Sequence, residues 1–191
     1  LTADVRQDVA QSTVRVTGIA CGRTTEGSGF AVGRDLIATN AHVLVGLDTP
    51  TVELGDGTGI DGEIVAFNVI DDLALIRVRG TDFEPLPLGP ADDGTVGAVF
   101  GWEPGPTVDP TPFRIDRPVT VRIEAVASDE RIDRRSWLLA ARIEAGDSGA
   151  ALIDSPRLAS GRGSSTLVPS HRARRTQTAA AELVALSPAA G

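Results

Sequence analysis

Thr13-Val14-Arg15-Val16-Thr17 alternates apolar and polar side chains with a period of two, the pattern of a strand with one buried face. Strand-like runs then recur at short spacing: Gly29–Val32, Leu36–Thr39, Thr51–Leu54, Ile60–Phe67, Leu73–Val78, Thr95–Trp102, Phe113–Ala127, Ser136–Ile143 and Ala150–Ile153. Turn formers separate them, among them Gly33-Arg34-Asp35, Gly55-Asp56-Gly57, Asp92-Asp93-Gly94 and Pro104-Gly105-Pro106. Short strands punctuated by Gly and Pro, without long amphipathic helices between them, predict an all-β chain and exclude a doubly wound sheet. Leu86-Pro87-Leu88-Gly89-Pro90 reads as a crossing segment between two β-barrels, one over about residues 13–82 and one from about residue 95 onwards. Ahead of them, residues 1–12 form a lead-in; Val5 and Val9, four apart, make it either a short helix or a fraying end.

Composition narrows the function classes. A chain of 191 residues is long enough for one self-sufficient core. The net charge of −8 argues against nucleic acid as a partner, because phosphate backbones need a basic surface. A single Cys and two His leave no Cys-rich or His-rich metal set, so neither a metal nor another cofactor is expected. No apolar run reaches the length of a membrane span, and the start lacks the basic-then-apolar pattern of a secretory leader. The chain contains no Met and begins with Leu, so it is expected to be a piece of a longer protein or a processed form.

Three stretches carry chemistry: Thr39-Asn40-Ala41-His42-Val43, Asp71-Asp72-Leu73-Ala74-Leu75-Ile76 and Gly146-Asp147-Ser148-Gly149-Ala150. A serine hydroxyl is a weak nucleophile at neutral pH; it needs a base, and an imidazole base needs a carboxylate to fix its tautomer and stabilise its cation. The three stretches supply a His after an apolar run, an Asp opening an apolar strand and a Ser in a Gly-flanked turn. Each alone has a bland reading as a structural His, a turn Asp or a turn Ser; their order on an apparent two-barrel chain favours a triad. Gly146 and Gly149 allow a turn that aims the N–H groups of Gly146 and Ser148 at one point, an oxyanion hole. Asp56, Asp92 and Asp93 read as turn carboxylates, Trp102 and Trp137 as packing residues, and His171 as a solvated side chain.

With Gly27-Ser28-Gly29-Phe30 before Leu36–Val43, Asp72-Leu73-Ala74-Leu75, and Gly146–Leu152, the chain resembles the chymotrypsin-like (trypsin-fold) serine proteases over roughly residues 12–154. The likeness is to their bacterial HtrA-like and MarP-like branch. It implies two antiparallel barrels of the six-stranded type, with His42 as general base, Asp72 orienting it and Ser148 as nucleophile. Asp71 is the competing aspartate; the branch places its Asp directly before a Leu-Ala or Val-Ala pair, which selects Asp72. The resemblance further implies protein or peptide substrates in the bacterial periplasm or cell envelope, a stress response, and membrane contact only through a segment outside this chain. MarP-like proteases pair a Cys at the place of Cys21 with one near the C-terminus; no second Cys is present here, and the residue-level reading of Cys21 is a small buried apolar side chain.

The end of the chain departs from this pattern. Residues 1–154 hold 13 Arg and 25 acids, whereas residues 155–191 hold 5 Arg and 1 acid. Ser155–Thr176 is rich in Ser, Arg, Pro and Gly and unlike the strands expected there. It reads as a basic disordered tail or a frame-altered end of the second barrel, which would leave that barrel incomplete. Arg142 and Glu144 either border a specificity pocket or are surface charges. The competing functions are an inactive protease-like scaffold that binds a peptide or partner protein and, with less support, an esterase, since no Gly-x-Ser-x-Gly elbow occurs.

Overall fold

A computed structural model describes residues 3–90, 92–102, 110–124, 131–154 and 165–167. Among the described residues the one α-helix, α1 (Ala3–Ser12), takes the helical option left open by Val5 and Val9, and both side chains are buried. At its last turn two hydroxyls bond back to helix carbonyls: Ser12 Oγ donates to Asp8 O (3.1 Å) and Thr13 Oγ1 to Val9 O (2.8 Å).

Two antiparallel sheets follow. The first has seven strands: β1 (Thr13–Ala20), β2 (Arg23–Gly33), β3 (Leu36–Thr39), β4 (Thr51–Glu53), β5 (Gly59–Asp61), β6 (Glu63–Asn68) and β7 (Leu73–Arg77), in the order β5-β4-β1-β2-β3-β7-β6. Its end strands β5 and β6 are adjacent in the chain and break only at Gly62, so the sheet curls upon itself. The second sheet has β8 (Val96–Phe100), β9 (Thr111–Glu124), β10 (Arg131–Ala141), β11 (Ala151–Asp154) and β12 (Ser165–Leu167), in the order β10-β9-β8-β11-β12. This is the expected all-β, two-barrel architecture, with the linker across Leu86 passing between the halves.

Each sheet encloses its own apolar cluster. Val14, Val16, Ile37, Leu44, Val52 and Ile76 fill the first; Val99, Phe113, Ile115, Leu139, Ala150 and Leu152 fill the second. A third cluster joins the halves: Val5 and Val9 of α1, Phe30 and Ala38 of the first sheet, Leu86 of the linker, and Ala98, Phe100, Ala151 and Ile153 of the second.

Two expectations change. Cys21 is exposed, not buried: it occupies the two-residue β1–β2 hairpin turn with φ 50°, next to Gly22 at φ 74°, the positive pair that a type I′ turn uses. Within the stretch read as unlike a strand, Ser165–Leu167 forms β12, pairing with β11 through main-chain groups that any side chain leaves available. The rest of the tail prediction, with His171, lies outside the described residues. Among the described residues no helix is long and apolar enough to cross a membrane.

Candidate active site

The site forms where the two sheets meet. His42 leaves β3 on a short 3-10 turn, Ala41–Leu44, whose Ala41, Val43 and Leu44 are buried and so fix where the imidazole emerges. Asn40, ahead of the turn, donates from Nδ2 to the carbonyl of Asp72 at 2.9 Å, tying the His turn to the start of β7.

Asp72 lies just ahead of β7, 3% exposed, with φ 53°, a left-handed conformation that non-glycine residues adopt only where their surroundings hold them. Its Oδ1 accepts the backbone N–H of His42 at 2.8 Å and its Oδ2 lies 2.7 Å from His42 Nδ1. A carboxylate can only accept, so Nδ1 carries the proton and Nε2 is left as acceptor. Ser148 Oγ is 3.1 Å from Nε2, in position to donate. Asp71 is exposed and accepts from Asn68 Nδ2 at 2.8 Å, away from the imidazole.

The serine turn is built by glycine conformation and by β2. Gly146 and Gly149 have φ 104° and 86°. At Gly149 a Cβ would overlap the Ser28 carbonyl oxygen, so the turn sits against β2 only because that position has no side chain. Ser28 holds it from two directions: its N–H donates to Ser148 O (2.6 Å) and its Oγ to Gly146 O (2.7 Å). The same Oγ accepts the N–H of Trp102 (2.8 Å), while Thr39 Oγ1 donates to Ser28 O (2.7 Å). Thus the strand leading to His42 and the turn carrying Ser148 share one buried serine. Asp147 Oδ2 accepts the Glu144 N–H at 2.7 Å, within the turn itself.

The remaining candidates are accounted for locally. Arg142 and Glu144 pair at 3.0 Å, both exposed, which is the surface option. Arg15 lies 5.0 Å from the Trp102 ring centroid and pairs with Glu26 and Glu53; the Glu26 hydrogen bond outweighs partial burial and pushes the Arg15 pKa up. Asp56 makes its own turn by accepting from the Thr58 N–H. Among the described residues no group of His, Cys, Asp and Glu is arranged to hold a metal.

Sequence reasoning missed three contributors. Ser28 and Asn40 stand inside the quoted motifs but received no role. Arg134, buried beside Asp72 at 3.7 Å, lies in Arg131-Ile132-Asp133-Arg134-Arg135, a charged run that received no role and precedes the strand expected from Ser136.

The chain is similar in sequence and in fold to known proteins. Residues 27–157 match the family model of the trypsin-like peptidase domain. The chain is 32% identical over 148 residues to serine protease Rv3671c of Mycobacterium tuberculosis, covering 75% of this chain and 37% of that protein. It is 35% identical over 102 residues to a probable periplasmic serine endoprotease DegP-like of Halomonas elongata, covering 51% of this chain and 20% of the relative. The crystal structure of the active form of the Rv3671c protease superimposes with a TM-score of 0.78 at 28% identity, over 95% of this chain and 78% of that one. The chain therefore spans well under half the length of the curated relatives it matches.

Proposed function

The chain belongs to the trypsin-like peptidase domain family, and from that membership we propose that it is a serine endopeptidase of the bacterial cell envelope. The observation that carries the reading is the line of contacts from Asp72 through His42 to Ser148, 2.7 Å and 3.1 Å long, at a junction of two sheets. Its order matches the chemistry. Ser148 Oγ attacks the carbonyl carbon of the scissile peptide while its proton passes to His42 Nε2. Asp72, already bonded to Nδ1–H and to the His42 backbone, keeps the ring oriented and stabilises the imidazolium. The tetrahedral oxyanion is assigned to the N–H groups of Gly146 and Ser148. Imidazolium then protonates the leaving amine, an acyl-enzyme remains on Ser148, and water, deprotonated by His42, releases it.

Protein or peptide substrates follow from an endopeptidase reaction. The envelope location rests on the relatives named as periplasmic endoproteases, and the stress role on the same relationship. The test is hydrolysis of an unfolded protein such as reduced casein by the purified chain, beside Ser148→Ala. New internal cleavages by the wild type alone are expected. A folded wild type that cleaves nothing and resists active-serine reagents would leave the binding scaffold as the better account.

A further inference from the structure

Arg134 lies on β10 of the second sheet, opposite Val121 of β9, yet its side chain ends in the first sheet's Asp72 turn. It is 3% exposed, and Asp72 beside it is equally buried. Three of its nitrogens meet that turn: Nε donates to Ile70 O (2.6 Å), Nη2 donates to Val69 O (2.9 Å), and Nη1 stands 3.7 Å from Asp72 Oδ2. A planar guanidinium offers donors in a fixed fork, so these contacts constrain position and orientation together, which a lysine point charge cannot do. A charge this deep needs a counter-charge, and Asp72 is a carboxylate within ion-pair reach.

We propose that Arg134 is a positioning residue for the Asp72–His42 pair, an inference that rests on the serine-protease reading above. The oxygen facing Arg134 is the one that accepts His42 Nδ1–H. Asp72 is held at φ 53°, and the carbonyls of the two residues before Asp71 are gripped by the fork. Release of the fork frees the turn to relax, and Asp72 shifts relative to the imidazole. The device also spans the halves. Asp72 and His42 belong to the first sheet and Ser148 to the turn before β11 of the second, so a second-sheet arginine seated in the first-sheet turn sets the register between them.

The test uses Arg134→Met and Arg134→Lys in the full chain. Readouts are kcat and KM on one peptide substrate, the rate of Ser148 inactivation by a fluorophosphonate, and the low-field proton resonance of His42 Nδ1–H. Arg134→Met should lose kcat by on the order of 10²-fold, the scale of a misplacement of about 1 Å. KM should stay near the wild-type value, and the Nδ1–H resonance should shift or broaden while the rest of the spectrum stays folded. Should Arg134→Met not fold, Arg134→Lys is read instead: it keeps stem and charge but loses the fork, and an intermediate kcat with a displaced resonance is expected. Wild-type kcat and an unmoved resonance in either folded variant would overturn the proposal. A loss confined to KM would overturn it as well. If the wild-type chain itself is neither labelled nor active, the protease reading falls first and this inference with it.

Discussion

Asp71 and Asp72 are adjacent and chemically identical, yet only one faces the imidazole. Asp72 is buried at the start of β7 with both carboxylate oxygens engaged by His42, whereas Asp71 closes an exposed turn with Asn68. Replacing Asp72 by Asn removes the acceptor that fixes the His42 tautomer and should lower kcat by on the order of 10⁴-fold. Asp71→Asn should leave turnover near the wild-type rate; comparing the two variants on one peptide substrate checks the assignment, and equal losses would refute it. The sequence itself does not separate the two; the preference for Asp72 comes from the family resemblance, which places the aspartate directly before a Leu-Ala pair such as Leu73-Ala74. Arg134 was not legible: an arginine among charged neighbours carries no mark of burial until β10 is seen to begin at Arg131, five residues before the predicted Ser136.

Among the elements, β2 organises the site. Ser28 is fully buried and its Oγ both donates to Gly146 O and accepts from Trp102 N–H. Ser28→Ala leaves two half-buried main-chain groups without that partner and should cost about 1 kcal/mol in denaturant unfolding, with slower labelling of Ser148; unchanged stability and labelling would show that the turn holds itself. In the β9–β10 pair, the hydrogen bond from Arg122 holds the Asp133 carboxyl below the usual carboxylate range. A depressed carboxylate pKa stabilises the fold above the unfolded value, and the contribution is lost as pH falls through the folded one. The stability gap between wild type and Asp133→Asn should therefore be open at neutral pH and close in acid, measured by urea midpoints across that range. It should also shrink in high salt, since the pair is exposed. The strands themselves were readable from alternation and turn residues. Their ends were not: β12 depends on a partner strand rather than on its own side chains, and Cys21 on the geometry of a hairpin.

The molecule as a whole is two curled sheets made one by a shared apolar cluster. Because Phe100, fully buried, contacts that cluster with residues from α1, both sheets and the linker, Phe100→Ala should destabilise by about 3–5 kcal/mol. Both halves should melt in a single transition by calorimetry and by tryptophan fluorescence; two separated transitions would mean the halves fold independently. This cluster also explains why α1, ambiguous as sequence, forms: Val5 and Val9 have an apolar surface to cover. The cluster and Arg134 both cross between sheets, and a one-dimensional pattern cannot display contacts that depend on how two sheets are placed. Assembly of a reactive serine at this junction can be read by intact-mass and peptide mapping after treatment with a fluorophosphonate probe. A single adduct per chain is expected, located at Ser148 and absent from Ser148→Ala. A folded chain that takes up no adduct, or takes it up equally in Ser148→Ala, would contradict that assembly.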